Sequence, residues 1–340
     1  MNRVFPFIKS ASLRHIFRPS CRSTIVIKNT LKAPARTFCG VGNGAKAAHN
    51  LKVLADGSKF TGDIVNGNMD GLGVLVFKDG STYKGEFKGD QMHGKGVFTD
   101  ADGSVYEGDY VNGVQHGEAK FTSSDGDVYV GSVVNENMHG FGTLSSLDGS
   151  IYEGEFVDNE PHGTGQLIQP NGEVHIGQFS HGLRHGEGKV LLSNGTVLEV
   201  EFVRGHPHGT CKMSESNGDI FEGYMMNGIM QPIGKRTSAD GIVYVGEFLR
   251  GKPHGKGKLT LTNGTVYEGQ LDQGQFHGQG KTTSAKGVVT EGMYVHDVLD
   301  GPAKVTYPYG RVDEGLFVDG TREGVWKVTM PDGTVREEKY

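Results

Sequence analysis

Residues 152–174 read YEGEFVDNEPHGTGQLIQPNGEV, and the first five decide the fold. Tyr152, Gly154 and Phe156 alternate with Glu153 and Glu155, the period-two pattern of a strand with one apolar face. After a loop, Gly165-Gln166-Leu167-Ile168-Gln169 reads as a second short strand. Pro170-Asn171-Gly172 closes it with a turn that needs positive φ at the glycine. Glycine and β-branched residues recur every few positions, which argues against a helix. The stretch is a β-hairpin.

The same stretch recurs on both sides. Residues 83–105 read YKGEFKGDQMHGKGVFTDADGSV and residues 244–266 read YVGEFLRGKPHGKGKLTLTNGTV. From Phe60 to Val335 the 23-residue unit is written twelve times with no insertion or deletion, and every copy keeps a glycine at its twenty-first place, from Gly80 to Gly333. A strict period of this length denotes an array whose units bury their apolar faces against their neighbours. Glycine makes up 55 of 340 residues, far above the usual ~7%, and the excess sits at fixed offsets, as turns and close backbone approach require. A hydrophobic content of 35% and a single tryptophan leave little apolar material at any cross-section. No apolar run approaches the ~20 residues of a membrane-spanning helix.

YEGEF, then HGxG, then Asp-Gly or Asn-Gly, on a 23-residue period, resembles the MORN repeat over residues 60–335. The resemblance implies an all-β fold: consecutive hairpins stacked into one elongated, single-layer, twisted antiparallel sheet. It also implies a scaffold role, since members commonly hold other proteins together. With ~24 strands ~4.8 Å apart, such a sheet runs to ~115 Å before twist. Residues 39–59 are expected to form a linker with a partial N-terminal repeat, and residues 336–340 a C-terminal cap.

Each recurring place has an expected job. The third-place glycine, as at Gly85 and Gly154, lets an aromatic ring from an adjacent strand lie over the backbone. The fifth place is large and apolar, and the last is mostly β-branched, as at Val105 and Val128; together they are expected to form ladders of cross-strand pairs. Departures cluster at 198–236, where Val200 and Cys211 replace glycines and Gln231-Pro232 replaces His-Gly. Proline cannot donate to a ladder, so a kink, bulge or local opening is expected there. The last copies drift too, through Asp300-Gly301, Ala303, Glu323-Gly324 and Trp326, as capping of an exposed edge requires.

The leader has a different chemistry. Residues 1–55 hold ten Lys or Arg and no acid, which leaves 24 basic against 40 acidic residues in the remainder. A basic, acid-free, Ser/Thr-containing N-terminus has the composition of an organellar transit peptide. Phe5, Ile8, Leu13, Ile16 and Phe17 share one half of a helical wheel. Leu13-Arg14-His15-Ile16-Phe17 resembles a mitochondrial import-receptor pattern, and Arg36-Thr37-Phe38 before Cys39 resembles a matrix-protease site. Residues 1–38 are therefore expected to be a mitochondrial transit peptide. A retained tail, in a cytoplasmic or peripheral-membrane protein, is the alternative.

Apparent chemical motifs dissolve into the period. Histidine at the eleventh place recurs eight times, from His93 to His277. Neighbouring copies lie two strands, ~10 Å, apart, too far to share one zinc ion with bonds of ~2.0–2.1 Å. Gly89-Asp90-Gln91-Met92-His93-Gly94-Lys95 lacks the following Ser/Thr and the helix of a phosphate loop. Cys211 has no second cysteine in the array, so no structural disulfide is expected. Twelve near-equivalent units offer no unique acid, base or nucleophile. The expectation is a non-enzyme with no catalytic, metal or cofactor site, no nucleic-acid partner, and one or more protein partners or a second copy of itself. Phe87, Tyr110, Phe156, Phe179, Phe202 and Trp326 are the candidate contact residues. A phospholipid-binding module and a regulatory subunit of a separate enzyme are the alternatives; the acidity of the array disfavours the first.

Overall fold

The computed structural model describes residues 50–340. The transit segment expected over 1–38, the cleavage point near Cys39 and the first part of the linker lie outside them. The chain divides into two compact units, residues 1–193 and 194–340. The described part of the first holds thirteen strands, from Asn50–Val53 to Leu183–Leu191. The second also holds thirteen, from Val197–Val203 to Val335–Lys339. Within each unit every strand pairs antiparallel with its neighbours in the chain, as Ile151–Val157 does with Asn137–Ser145 and Glu160–Ile168, and no helix occurs among the described residues.

The hairpin over 152–174 shows why the sequence folds this way. Its loop is shorter than the sequence suggests. Val157 already pairs with Glu160, so only Asp158 and Asn159 turn the chain, with φ of 49° and 72°. Positive φ at both central residues is the turn geometry that matches strand twist. Pro161, His162 and Gly163 therefore lie inside the second strand. Pairing steps from Gly154↔Gly165 directly to Glu155↔His162, which leaves a bulge at Gly163 and Thr164. Gly163 takes φ of 59° there. The Glu155 carboxylate closes the bulge by accepting the Thr164 amide at 3.0 Å and its hydroxyl at 2.8 Å. These bonds hold the Glu155 carboxyl below the usual carboxylate range. The turn between copies forms as expected, with Gly172 donating to the Gln169 carbonyl at 2.9 Å.

One face of each hairpin is built on two glycines and a ring. Gly154 and Gly165 pair across the strands, and Tyr152 lies over both: a Cβ on Gly165 would stand 2.5 Å from the Tyr152 hydroxyl. The covering ring thus comes from the third-place glycine's own strand, two residues earlier, and not from an adjacent strand. The Tyr152 hydroxyl donates to the Glu155 carbonyl at 3.0 Å. Fifth-place rings then pack edge-on, with Tyr152 centred 5.1 Å from Phe156 and 4.9 Å from Phe179 in the next copy, the geometry that aromatic quadrupoles favour. The final-place residues Val105, Val128 and Ile151 alternate with these rings and lie half-buried or exposed on the opposite face. They do not join the ring ladder.

At two places the ring and its glycines change together. Leu198 stands at the tyrosine place, and the cross-strand pair beneath it is Val200 and Cys211, both buried. At Asp313 the ring is absent, and Trp326 occupies a glycine place, its indole lying where a Gly315 Cβ would be. Volume is conserved over the three places, as close packing demands. The disturbance expected over 198–236 is narrower than a kink. Bulges occur in regular hairpins as well, and the specific change is that pairing with Val243–Leu249 starts at Ile233, just past Pro232.

Candidate interaction surface

The six residues singled out as contacts are placed inside. Relative exposure is 3% for Phe87, 1% for Tyr110 and Phe156, 4% for Phe179, and 0% for Phe202 and Trp326. Rings from successive copies cover one another, as Phe87 with Phe60 at 4.9 Å and Tyr110 with Tyr83 at 5.0 Å. A side chain so covered offers a partner almost no area. Burial also raises the tyrosine hydroxyls, Tyr83 to about 12. The accessible surface is the opposite face, made by the second and fourth places and their cross-strand partners.

That face differs between the units. In the second, one row runs across strand after strand in strict register. Lys212 pairs with Glu199 and Glu222, and Lys235 also pairs with Glu222. Lys281 lies between Glu268 and Glu291, and Lys304 between Glu291 and Glu314. Contacts of 2.7 Å at Lys235–Glu222 and 2.9 Å at Lys258–Glu268 realise it. The same row in the first unit reads Val74, Lys84, Val97, Glu107, Lys120, Val130, Thr143, Glu153, Gln166, Ile176, Lys189. Val97, Val130 and Ile176 are exposed in it.

The eleventh-place histidines sit at the bulges and face the next hairpin's turn. His93 Nδ1 accepts the Asn112 amide at 3.4 Å, and His254 Nδ1 lies 3.3 Å from Asp272. Among the described residues no group of three or more His, Cys, Asp or Glu is placed to hold a metal ion.

One cluster escaped sequence reasoning. Asp313, fully buried, receives Arg311 Nε at 2.6 Å and Arg322 Nη1 at 2.8 Å. Burial alone would raise its carboxyl; the two guanidinium groups outweigh that and hold it below the usual range. Arg322 also donates to the hydroxyls of Tyr340 at 2.9 Å and Tyr307 at 3.0 Å. Its Cζ lies 4.2 Å over the Trp326 ring, a cation–π contact. The signal was present in the sequence: an aspartate at a tyrosine place and a tryptophan at a glycine place of the same copy. These groups tie the last hairpin to the strand Val335–Lys339.

The family model for the MORN repeat matches residues 60–82, 83–105, 106–128, 129–151, 152–174, 175–197, 244–266 and 267–289, more than half of the chain. The chain belongs to the MORN-repeat family. The 23-residue stretches at 198–220, 221–243, 290–312 and 313–335 lie outside the matched residues, and in them the ring–glycine packing or the Pro232 strand departs from the rule. A comparison with curated proteins finds no match. Among solved structures, the chain is similar to the SAS-4 TCP domain of Drosophila melanogaster in complex with a proline-rich motif of Ana2. Identity there is 12%, with 59% of this chain and 90% of that chain covered and a TM-score of 0.24. The TCP10 domain of Danio rerio CPAP with a STIL peptide gives 15% identity, 86% and 99% coverage and a TM-score of 0.21. Virginiamycin B lyase from Staphylococcus aureus gives 15%, 83% and 88%, and 0.14. Likenesses this distant carry no argument about the MORN chain's function.

Proposed function

We propose that this MORN-repeat chain is a non-enzymatic scaffold that binds one or more proteins through the solvent face of its hairpins, and that it works in mitochondria. The carrying observation is the division of labour between faces. Rings and glycines are consumed by packing, while the other face carries the side chains that vary from copy to copy. Near-equivalent units supply no single convergence of base, nucleophile and electrostatic stabiliser. The leader's composition supports the compartment.

Proximity labelling from the C-terminus in living cells tests both parts together, since it reports compartment and neighbours. Mitochondrial neighbours that copurify with the chain are expected, and a purified native N-terminus near Cys39. Recovery of an intact Met1 end on most molecules would remove the mitochondrial part. Loss of function on replacing His162 alone, with melting and copurification unchanged, would remove the non-enzymatic part.

A further inference from the structure

The copies at 221–243 and 244–266 turn large apolar side chains outward. Tyr224, Met226, Ile229, Ile233, Val245 and Leu249 are between 41% and 69% exposed. They lie on three consecutive strands, Ile220–Met226, Ile229–Thr237 and Val243–Leu249. Register brings them together: Met226 pairs with Ile229, Ile233 pairs with Glu247, which stands two residues from both Val245 and Leu249, and Lys235 pairs with Val245. Regular copies are polar at several of these places. Tyr224 stands where Glu155 closes the bulge, and Ile233 where Thr164 receives it. Inward departures such as Val200 and Cys211 are repaid by volume within the same hairpin. Apart from Tyr224, whose ring meets His208 edge-on at 5.9 Å, these outward ones lie open to solvent. Exposed large apolar side chains gathered on neighbouring strands in this way mark a contact surface.

The charges around the patch are incomplete in a specific way. Along the row across the second unit each lysine lies between two glutamates, except Lys235 and Lys258, which have one each. Val245 occupies a glutamate place, paired with Lys235 on one side and Lys258 on the other. Arg250, Lys252 and Lys256 are exposed farther along the same hairpin, past Glu247, whose carboxylate accepts the Lys256 amide at 3.2 Å. Glu222 and Glu268 are already engaged with Lys235 and Lys258. The row lacks one carboxylate at the centre of its apolar interruption.

We propose that this patch receives an extended segment of a partner protein carrying bulky apolar side chains beside an acidic one, whose carboxylate seats over Val245 between Lys235 and Lys258. The inference rests on the protein-binding reading and adds the place and the chemistry of the segment. Charge complementarity of this sort sets partner choice as well as rate, and the apolar neighbours supply area.

The test uses the full chain and a labelled alternating Glu/Leu peptide, with its Lys/Leu counterpart as control, followed by fluorescence anisotropy. The Glu/Leu peptide is expected to bind, more weakly as salt rises, and the Lys/Leu peptide not to. Val245→Glu supplies the missing carboxylate within the chain and is expected to weaken binding by about tenfold or more. Val130→Glu, at the same place of another copy, leaves it unchanged. Ile233→Ser is the second variant, weakening binding without touching charge, and circular dichroism confirms that all three fold. Equal binding of both peptides, or full binding by Val245→Glu, overturns the proposal. So does a response to Val245→Glu confined to phosphatidylserine vesicles, or confined to the chain's own sedimentation mass. Cellular neighbours labelled equally by wild type and Val245→Glu would leave the scaffold reading standing and remove this site.

Discussion

From residue 83 to 179 the ring face repeats one solution, with an aromatic ring or His175 over a cross-strand pair that is Gly–Gly in every copy but one, where it is Gly108 and Ala119. From 198 onward the second unit solves the same problem in several ways: Leu198 over Val200 and Cys211, Tyr244 and Tyr267 over glycine pairs, and Trp326 at a glycine place over Gly315 in the copy that begins with Asp313. The opposite faces contrast the other way. The first unit mixes valines and isoleucines with charges, whereas the second keeps a Lys/Glu row broken once at Val245. The hairpin therefore constrains summed volume on its ring face and hardly constrains identity on the other. Variation on the ring face must be compensated locally; variation on the opposite face is open to use.

The largest test of that contrast is at Asp313. Replacing it with Ala leaves the mostly buried Arg322 without an anion and Arg311 with Glu338 alone, and is expected to cost about 3 kcal/mol. The double change Asp313→Tyr with Trp326→Gly restores the regular packing of the first unit and should recover part of that loss in denaturant titrations. The sign with pH follows from the lowered carboxyl. The stabilisation is complete above the unfolded value of ~3.9 and disappears as pH falls through the lower folded value.

Next comes Gly165→Val in the first unit, whose Cβ would meet the Tyr152 ring; overpacking should cost about 2–3 kcal/mol. Carrying over the second unit's solution, with Tyr152→Leu, Gly154→Val and Gly165→Cys together, should restore most of the melting temperature. Failure of the triple change would mean that the two units are not interchangeable in volume.

A subtler test lies at His175, a buried histidine at the tyrosine place. Burial first, and Arg184 second, push its imidazole down to about 4. The unfolded chain takes up a proton below ~6.5, while the folded chain does so only near the lower value, so stability falls as pH drops across that window. His175→Tyr should flatten the profile there, read as melting temperature against pH. Smallest of all is Lys235→Ala. Its exposed pair with Glu222 contributes so little that no change in melting is expected.

Much of this was legible in the sequence. The period, the strands at YEGEF, the turn at Asn171-Gly172 and the all-β class follow from residue types at fixed offsets. The two-residue turn was hidden because its residues vary so widely: Asn66-Gly67, Asn135-Glu136, Asp158-Asn159 and His181-Gly182 all adopt positive φ, and only the shared geometry unites them. The inward fate of Phe156 and Phe179 was hidden for another reason. A period-two pattern marks one face as apolar, but it does not tell whether rings from successive copies close over one another. The Asp313 cluster draws its parts from residues 311, 313, 322, 338 and 340, which only folding assembles.

Trp326 has a practical consequence. It is the single tryptophan of 340 residues, fully buried, with a guanidinium stacked on its ring. The last hairpin thus carries a built-in optical reporter, while the first unit is visible only through tyrosine. Red-edge excitation isolates one end of the array, and its emission should shift when Arg322 withdraws, whether or not the first unit has lost its strands. Titrating denaturant while following indole emission beside far-UV circular dichroism would show whether the last hairpin melts with the other strands or apart from them, with no label added.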